Sequence, residues 1–499
     1  MAMRWGTFAL RFAIVLVASL IAPAQTEDRL AEKSREANAL MQQGRFAEAV
    51  TNYEELVRAL PANPGLRLNL GMALQMAGRI PESVPHFEAV IKAQPASVPA
   101  LLSLGMARVQ MGQAAQAIAP LQKVVAAEPS NVNARGLLAQ ALLEAGRPAE
   151  AATQYRRLTA LTPKDTRAWS GLGRAYEVLA AKAFSELKPE SAEWAVLAAD
   201  SRRARGQNKA AFFFYRKALE LMPSFRGVHA SLAEIYRAAG HAAWAVEEEA
   251  KEKSLKKPDC VAEKEACAFA AGRYLEAAAG TAYWRAKAYN ELARRALAQL
   301  GTLPESVELI ALRAEIAANR GQPLVAVEEW KKALKLAPGD ERLERELMAS
   351  LSEARDYDTL LPLLREHLKR SPADAELNYF MGDALLRQEK PEEAVPYLEA
   401  AVKASPDVLA GRALLGQALA RAGRAAEAIP HLEAAVRLDE DGAIHYQMSR
   451  AYQAAGQAEK ARAALERYQE IRQKSEAEKR DLEQQIEITA PSAKLPGQS

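Results

Sequence analysis

Glycine and proline recur through the N-terminal third of this chain at a fixed step. Gly44, Gly78, Gly112 and Gly146 form one series and Pro61, Pro95, Pro129 and Pro163 another, each advancing by 34 residues and offset from the other by 17. A period in this range marks a repeated supersecondary unit. Between the marks the apolar residues fall at helical spacing. Ala37, Leu40 and Met41 precede Gly44, while Ala49, Val50, Tyr53, Leu56 and Val57 lie between Gly44 and Pro61. Glycine accepts the left-handed conformation that ends one helix, and proline stops the second while suiting the start of the next. The pattern predicts one helical hairpin per period.

In this phase Trp169, Leu172, Gly173 and Tyr176 reproduce the spacing Trp-x2-Leu-Gly-x2-Tyr. The Ala-x3-aromatic element follows as Ala49/Tyr53, Ala151/Tyr155, Ala211/Tyr215 and Ala326/Trp330. With these residues in register the chain resembles the tetratricopeptide repeat family. The resemblance implies an all-α fold, a right-handed superhelical solenoid of tandem helical hairpins. Repeats start at 30, 64, 98, 132 and 166, then at 192 and 226, then at 307, 341, 375, 409 and 442. The irregular places shape the expected organisation. A leader occupies 1–24, a lead-in 25–29, a regular array 30–165, and repeats with an atypical long helix 166–257. A cysteine-containing segment with a second long helix fills 258–306, a C-terminal array 307–474, a charged capping helix 475–489 and a disordered tail 490–499. Ala175, Tyr176, Leu179, Ala180, Ala183 and Leu187 align with Ala288, Tyr289, Leu292, Ala293, Ala296 and Leu300, which points to duplication of one unusual unit over about 166–223 and 279–338.

Arg4 and Arg11 followed by an apolar run from Phe12 to Ile21 and by Ala22-Pro23-Ala24 read as a secretory leader cleaved after Ala24. The run is shorter than the roughly 20 residues a spanning helix needs, so no spanning segment is expected after cleavage. Export places the protein in the periplasm or outside the cell. No cysteine stands near the cleavage site to accept a lipid. Without residues 1–24 the chain carries 64 basic and 63 acidic residues, a balance that gives no electrostatic reason for nucleic-acid binding. Cys260 and Cys267, seven apart after Pro258, suit a local disulfide if a turn separates them, with two packed thiols as the alternative.

Chemistry-bearing motifs are scarce. No histidine is followed by glutamate and no glycine by lysine, which excludes HExxH and phosphate-loop signatures, and GxSxG is absent. No enzyme, cofactor or metal site is expected. What remains is a binding surface. In the family it resembles, the first helix of each hairpin lines the inner face through its second, fifth, ninth and twelfth or thirteenth positions. Carried onto this chain these positions give Asn38, Met41, Leu68, Met72, Met76, Leu102, Met106 and Val109, an apolar stretch rich in methionine, a side chain that adapts to varied ligands. Packing against the next hairpin is the competing role for these methionines. Later positions are charged and mixed in sign, among them Asp200 and Arg203, Glu234 and Arg237, Arg342 and Arg345. The run Phe212-Phe213-Phe214-Tyr215 places rings all around one helix, so Phe213 is expected to be an exposed contact or to be covered by another element. The expectation is an exported scaffold or adaptor gripping a protein or peptide of the cell envelope, or alternatively an accessory subunit of an envelope assembly such as a polysaccharide or pilus export apparatus. The sequence leaves the oligomeric state open.

Overall fold

The computed structural model describes residues 28–491, the side chains of 481–485 excepted. The expected leader, its cleavage after Ala24 and most of the expected C-terminal tail lie outside the described residues. Every regular element among the described residues is helical. The first helix, 28–42, pairs with Phe46–Ala59, Pro64–Met76 with Ile80–Ala93, Val98–Gln110 with Ala114–Ala127, and Val132–Glu144 with Pro148–Leu161. This is the hairpin array the two combs predict.

Each hairpin is closed by the same local chemistry. Gly78 turns between helices at φ +78, in the left-handed region that a side chain resists. Further along, Arg355 and Glu389 take the equivalent place at φ 58 and φ 60 without glycine's freedom. The next hairpin opens on a cap: the side chain of Asn63 accepts from Leu66 N–H and that of Asn131 from Ala134 N–H. A second bond recurs in several repeats and ties each of these to the one before. Trp169 Nε1–H donates to the Pro163 carbonyl at 2.8 Å. Arg67 does the same to Pro61 at 3.0 Å, Asn378 to Pro372 at 2.9 Å and Arg412 to Pro406 at 2.9 Å. The tryptophan of the repeat signature is thus replaced by residues that keep its N–H donor, six residues after the proline.

Close approach of the two helices is set by glycine. A Cβ on Gly71 would lie 2.6 Å from Phe87 Cε1, and one on Gly105 2.5 Å from Leu121 Cδ2. Both partners are fully buried. Small residues here let a ring or branched side chain sixteen positions later fill the space between the helices.

The chain forms two compact units that are not contiguous in sequence. Residues 28–182 join with Ala288–Leu303 in one, and Ala183–Lys287 joins with residues 304–491 in the other. In the first unit the fifth repeat is completed from far away. Its first helix begins Thr166–Ser185, and the residue facing Gly173 is Leu297, 2.5 Å from where a Cβ would stand. Ala293 and Ala296 share a core with Leu172, Ala175 and Tyr176, and Tyr176 stacks on Tyr289 with centroids 5.9 Å apart. One aligned pair of the sequence duplication, Tyr176 and Tyr289, is therefore in direct contact in this unit.

The second unit holds two cores, one running from Ala183 to Ala286 around Phe212, Tyr215 and Tyr236, the other from Ile310 to Ala464 around Trp330. Between the helix Ala242–Ser254 and the helix Ala282–Leu300, two short helices, Lys264–Ala270 and Tyr274–Ala277, replace a full hairpin. Cys260 and Cys267 are joined by a disulfide there, with Cα atoms 5.6 Å apart. The last helix, Ala458–Gln485, is followed by a segment in which Ile488 rejoins the core around Phe212.

Candidate functional site

The first-helix positions of the N-terminal repeats form the face of interest in the first unit. Met72 is 37% exposed and Met76 58% exposed. Met106 is half-buried, as are Met41, Leu68, Leu102 and Val109. Of these, Met41, Leu68, Leu102 and Val109 pack against buried clusters of their own or adjoining hairpins. They serve the layers as well as the surface. Met72 and Met76 stand out from it, one turn apart on the helix Pro64–Met76. Asn38 is exposed but not loose: its Oδ1 accepts from the Tyr53 hydroxyl at 2.6 Å.

Helices of successive repeats meet on this face. Gln75 Nε2–H donates to Gln110 Oε1 at 2.8 Å, which links the helix of Met72 and Met76 to that of Met106. The face turns polar at the following repeat, where Gln140 donates to Glu144 at 2.9 Å. The glutamines were not singled out from the sequence, although the same position comb that selects the methionines selects Gln75 and Gln110.

In the second unit the corresponding positions are charged, and they engage one another. Arg203 pairs with Glu234 of the next first helix, and Arg237 with Glu249. Arg345 bridges Asp374 at 2.6 Å and Glu376 at 3.2 Å, and Arg387 holds Asp383 at 2.9 Å. The hydrogen bond from Arg345 keeps the Asp374 carboxyl below the ordinary range. The pairs of Arg203 and Arg345 link neighbouring repeats, those of Arg237 and Arg387 stay within one, and all of them satisfy charges that a ligand would otherwise meet.

Phe213 is half-buried, not an open contact: its ring lies edge-on to Phe214, centroids 5.1 Å apart, and Phe214 is in turn covered by Trp194 and by the Arg202 guanidinium 4.1 Å from its centroid. Cover comes from the preceding helix Ala192–Ala204, whose Trp194 in turn stacks on Phe184 of the long helix before it, centroids 6.0 Å apart. The six histidines are dispersed, and no group of three or more His, Cys, Asp or Glu is placed to hold a metal among the described residues.

Tetratricopeptide repeat models match residues 34–98, 108–175, 350–407, 379–443 and 419–486, more than half of the chain in all. The chain belongs to the tetratricopeptide repeat family. Solved structures with similarity to it include a tetratricopeptide repeat protein from Parabacteroides merdae, 13% identical over 64% of this chain and 98% of that one, with a TM-score of 0.33. MamA of MSR-1 is 24% identical over 39% of this chain and 96% of its own, TM-score 0.29. MamA from Desulfovibrio magneticus RS-1 is 20% identical over 40% and 97%, TM-score 0.29. No curated protein matches the sequence. Among the described residues of this tetratricopeptide repeat chain, no helix is long and apolar enough to cross a membrane.

Proposed function

We propose that the protein is a non-catalytic scaffold that binds a protein or peptide segment on the first-helix face of its N-terminal repeats, and that it works in the cell envelope after export. The observation that carries the reading is the exposure of Met72 and Met76 beside half-buried Met106, on adjacent helices tied together by Gln75 and Gln110. Methionine is flexible and polarisable, so a patch of it accommodates apolar side chains of differing shape. The ion-paired positions of the second unit suit rigidity more than capture. The leader-like N-terminus supports the location, and a family of repeat scaffolds supports binding over catalysis.

Affinity capture from an envelope fraction tests both parts. The unaltered protein is expected to retain a defined partner, and Met72→Glu with Met106→Glu to lose it while circular dichroism and melting stay unchanged. Equal capture by the variant would remove the methionine face from the account. Recovery of the protein in the cytoplasm with residues 1–24 intact would remove the export.

A further inference from the structure

The segment after the last helix touches a repeat far behind it in sequence. The Tyr236 hydroxyl, on the helix Val228–Ala238, donates to the Thr489 carbonyl at 2.8 Å. Ile488, one residue before, packs partly buried against the core that holds Phe212, Tyr236 and Tyr215. The receiving surface is aromatic. Tyr236 meets Phe212 edge-on at 5.7 Å and Trp244 at 5.6 Å, and Trp244 stacks on His241 at 3.9 Å. None of these rings belongs to the methionine face, which lies in the other unit.

Three features of this contact are those of a ligand, not of a structural strut. The hydrogen bond goes to a backbone carbonyl, which any extended peptide offers, so side-chain identity enters through the anchor alone. The one hydrogen bond and the one apolar anchor named, Tyr236 to Thr489 and Ile488, belong to a segment whose residues 486 and 488–491 are partly buried and which is reached through a strongly charged helix, Ala458–Gln485. Tethering raises the local concentration of such a segment without adding contacts. The fit is also imperfect, because Thr489 Oγ1 is buried with no hydrogen-bond partner. A buried hydroxyl left unsatisfied weakens binding, and an aliphatic residue of the same shape avoids that loss.

We propose that the Phe212–Tyr236–Trp244 surface is a second peptide-docking site, held in cis by residues 486–490, and that its partner is an extended segment of another protein carrying two adjacent β-branched aliphatic residues in place of Ile488 and Thr489. The cis segment is a self-ligand poor enough to be displaced by such a segment.

A fluorescent peptide copying residues 484–491 is the probe, read by anisotropy against the full chain. Ile488→Asp in the full chain is expected to free the site and raise peptide affinity about tenfold over the unaltered chain, whose own segment competes. The same peptide with Val in place of Thr489 is expected to bind more tightly to that variant. Adding Tyr236→Phe, which keeps the ring and removes the donor, is expected to weaken binding several-fold. Met72→Glu with Met106→Glu is expected to leave peptide affinity unchanged, which separates this site from the methionine face. If Ile488→Asp loses its cooperative melt, a chain ending at Gln485 takes its place in the same comparison. A freed chain that is folded yet binds the peptide no better than the unaltered chain overturns the proposal, as does indifference to both Tyr236→Phe and Thr489→Val.

Discussion

Two histidines sit in matching surroundings at distant repeats. His86 lies near Arg67 and Glu54, His431 near Arg412 and Glu399, and the Nδ1 atom of each is buried without a partner. Burial lowers both imidazoles below the ordinary 6.5, the arginine adds to the effect and the glutamate opposes it. The folded chain therefore takes up these protons at lower pH than the unfolded chain does. The stability they permit is fully present above the unfolded value of about 6.5 and drains as pH falls through the folded value. Thermal melts between about pH 7.5 and 5 should show a decline that His86→Gln with His431→Gln flattens; a flat profile in the unaltered protein would contradict the linkage. At the hairpin turns the residue scale also exposes a cost. Arg355 and Glu389 adopt the left-handed conformation that glycine takes elsewhere. Glu389→Gly should stabilise by about 0.5–1 kcal/mol in urea titration, a gain reduced by the extra freedom of the unfolded glycine.

The element scale shows which hairpins the sequence discloses and which it does not. Gly44 to Gly146 and Pro61 to Pro163 disclose the regular ones because each mark solves a local problem, a left-handed turn or a helix end, that needs no distant residue. Gly71 and Gly105 are legible for the same reason, since their partners Phe87 and Leu121 follow sixteen residues later. The partner of Gly173 is not: Leu297 arrives from the second long helix, and no local pattern encodes so remote a neighbour. The alignment of Tyr176 with Tyr289 hints at duplication, but not that the two rings stack. Leu297→Ala should cost about 2 kcal/mol, less than a fully buried leucine because Leu297 is half-buried, and should raise hydrogen exchange in the helix Thr166–Ser185. Exchange confined to Ala282–Leu300 would argue against a shared hairpin. Gly105→Ala should cost about 1–3 kcal/mol by forcing Leu121 aside.

At the scale of the whole molecule, the position comb marks the methionines along the chain but not how deep each one sits. The position comb reaches Met72, Met76 and Met106, yet cannot separate the exposed pair from Leu68, Leu102 and Val109, which also pack in the layers. The difference rests on how neighbouring hairpins overlap, a property of packing and not of period. Likewise Phe213 is half-buried against Phe214, a ring that Trp194 and Arg202 cover, which the ring count alone does not show. The claim that the first unit binds through its first helices is most directly tested by a photo-crosslinking amino acid placed singly at Met72, at Met76 and, as a control, at Leu161, which is 47% exposed near the end of a second helix. Adducts of one partner at 72 and 76 with none at 161 are predicted. Equal adducts at 161, or none at either methionine while the partner is still captured, would contradict it.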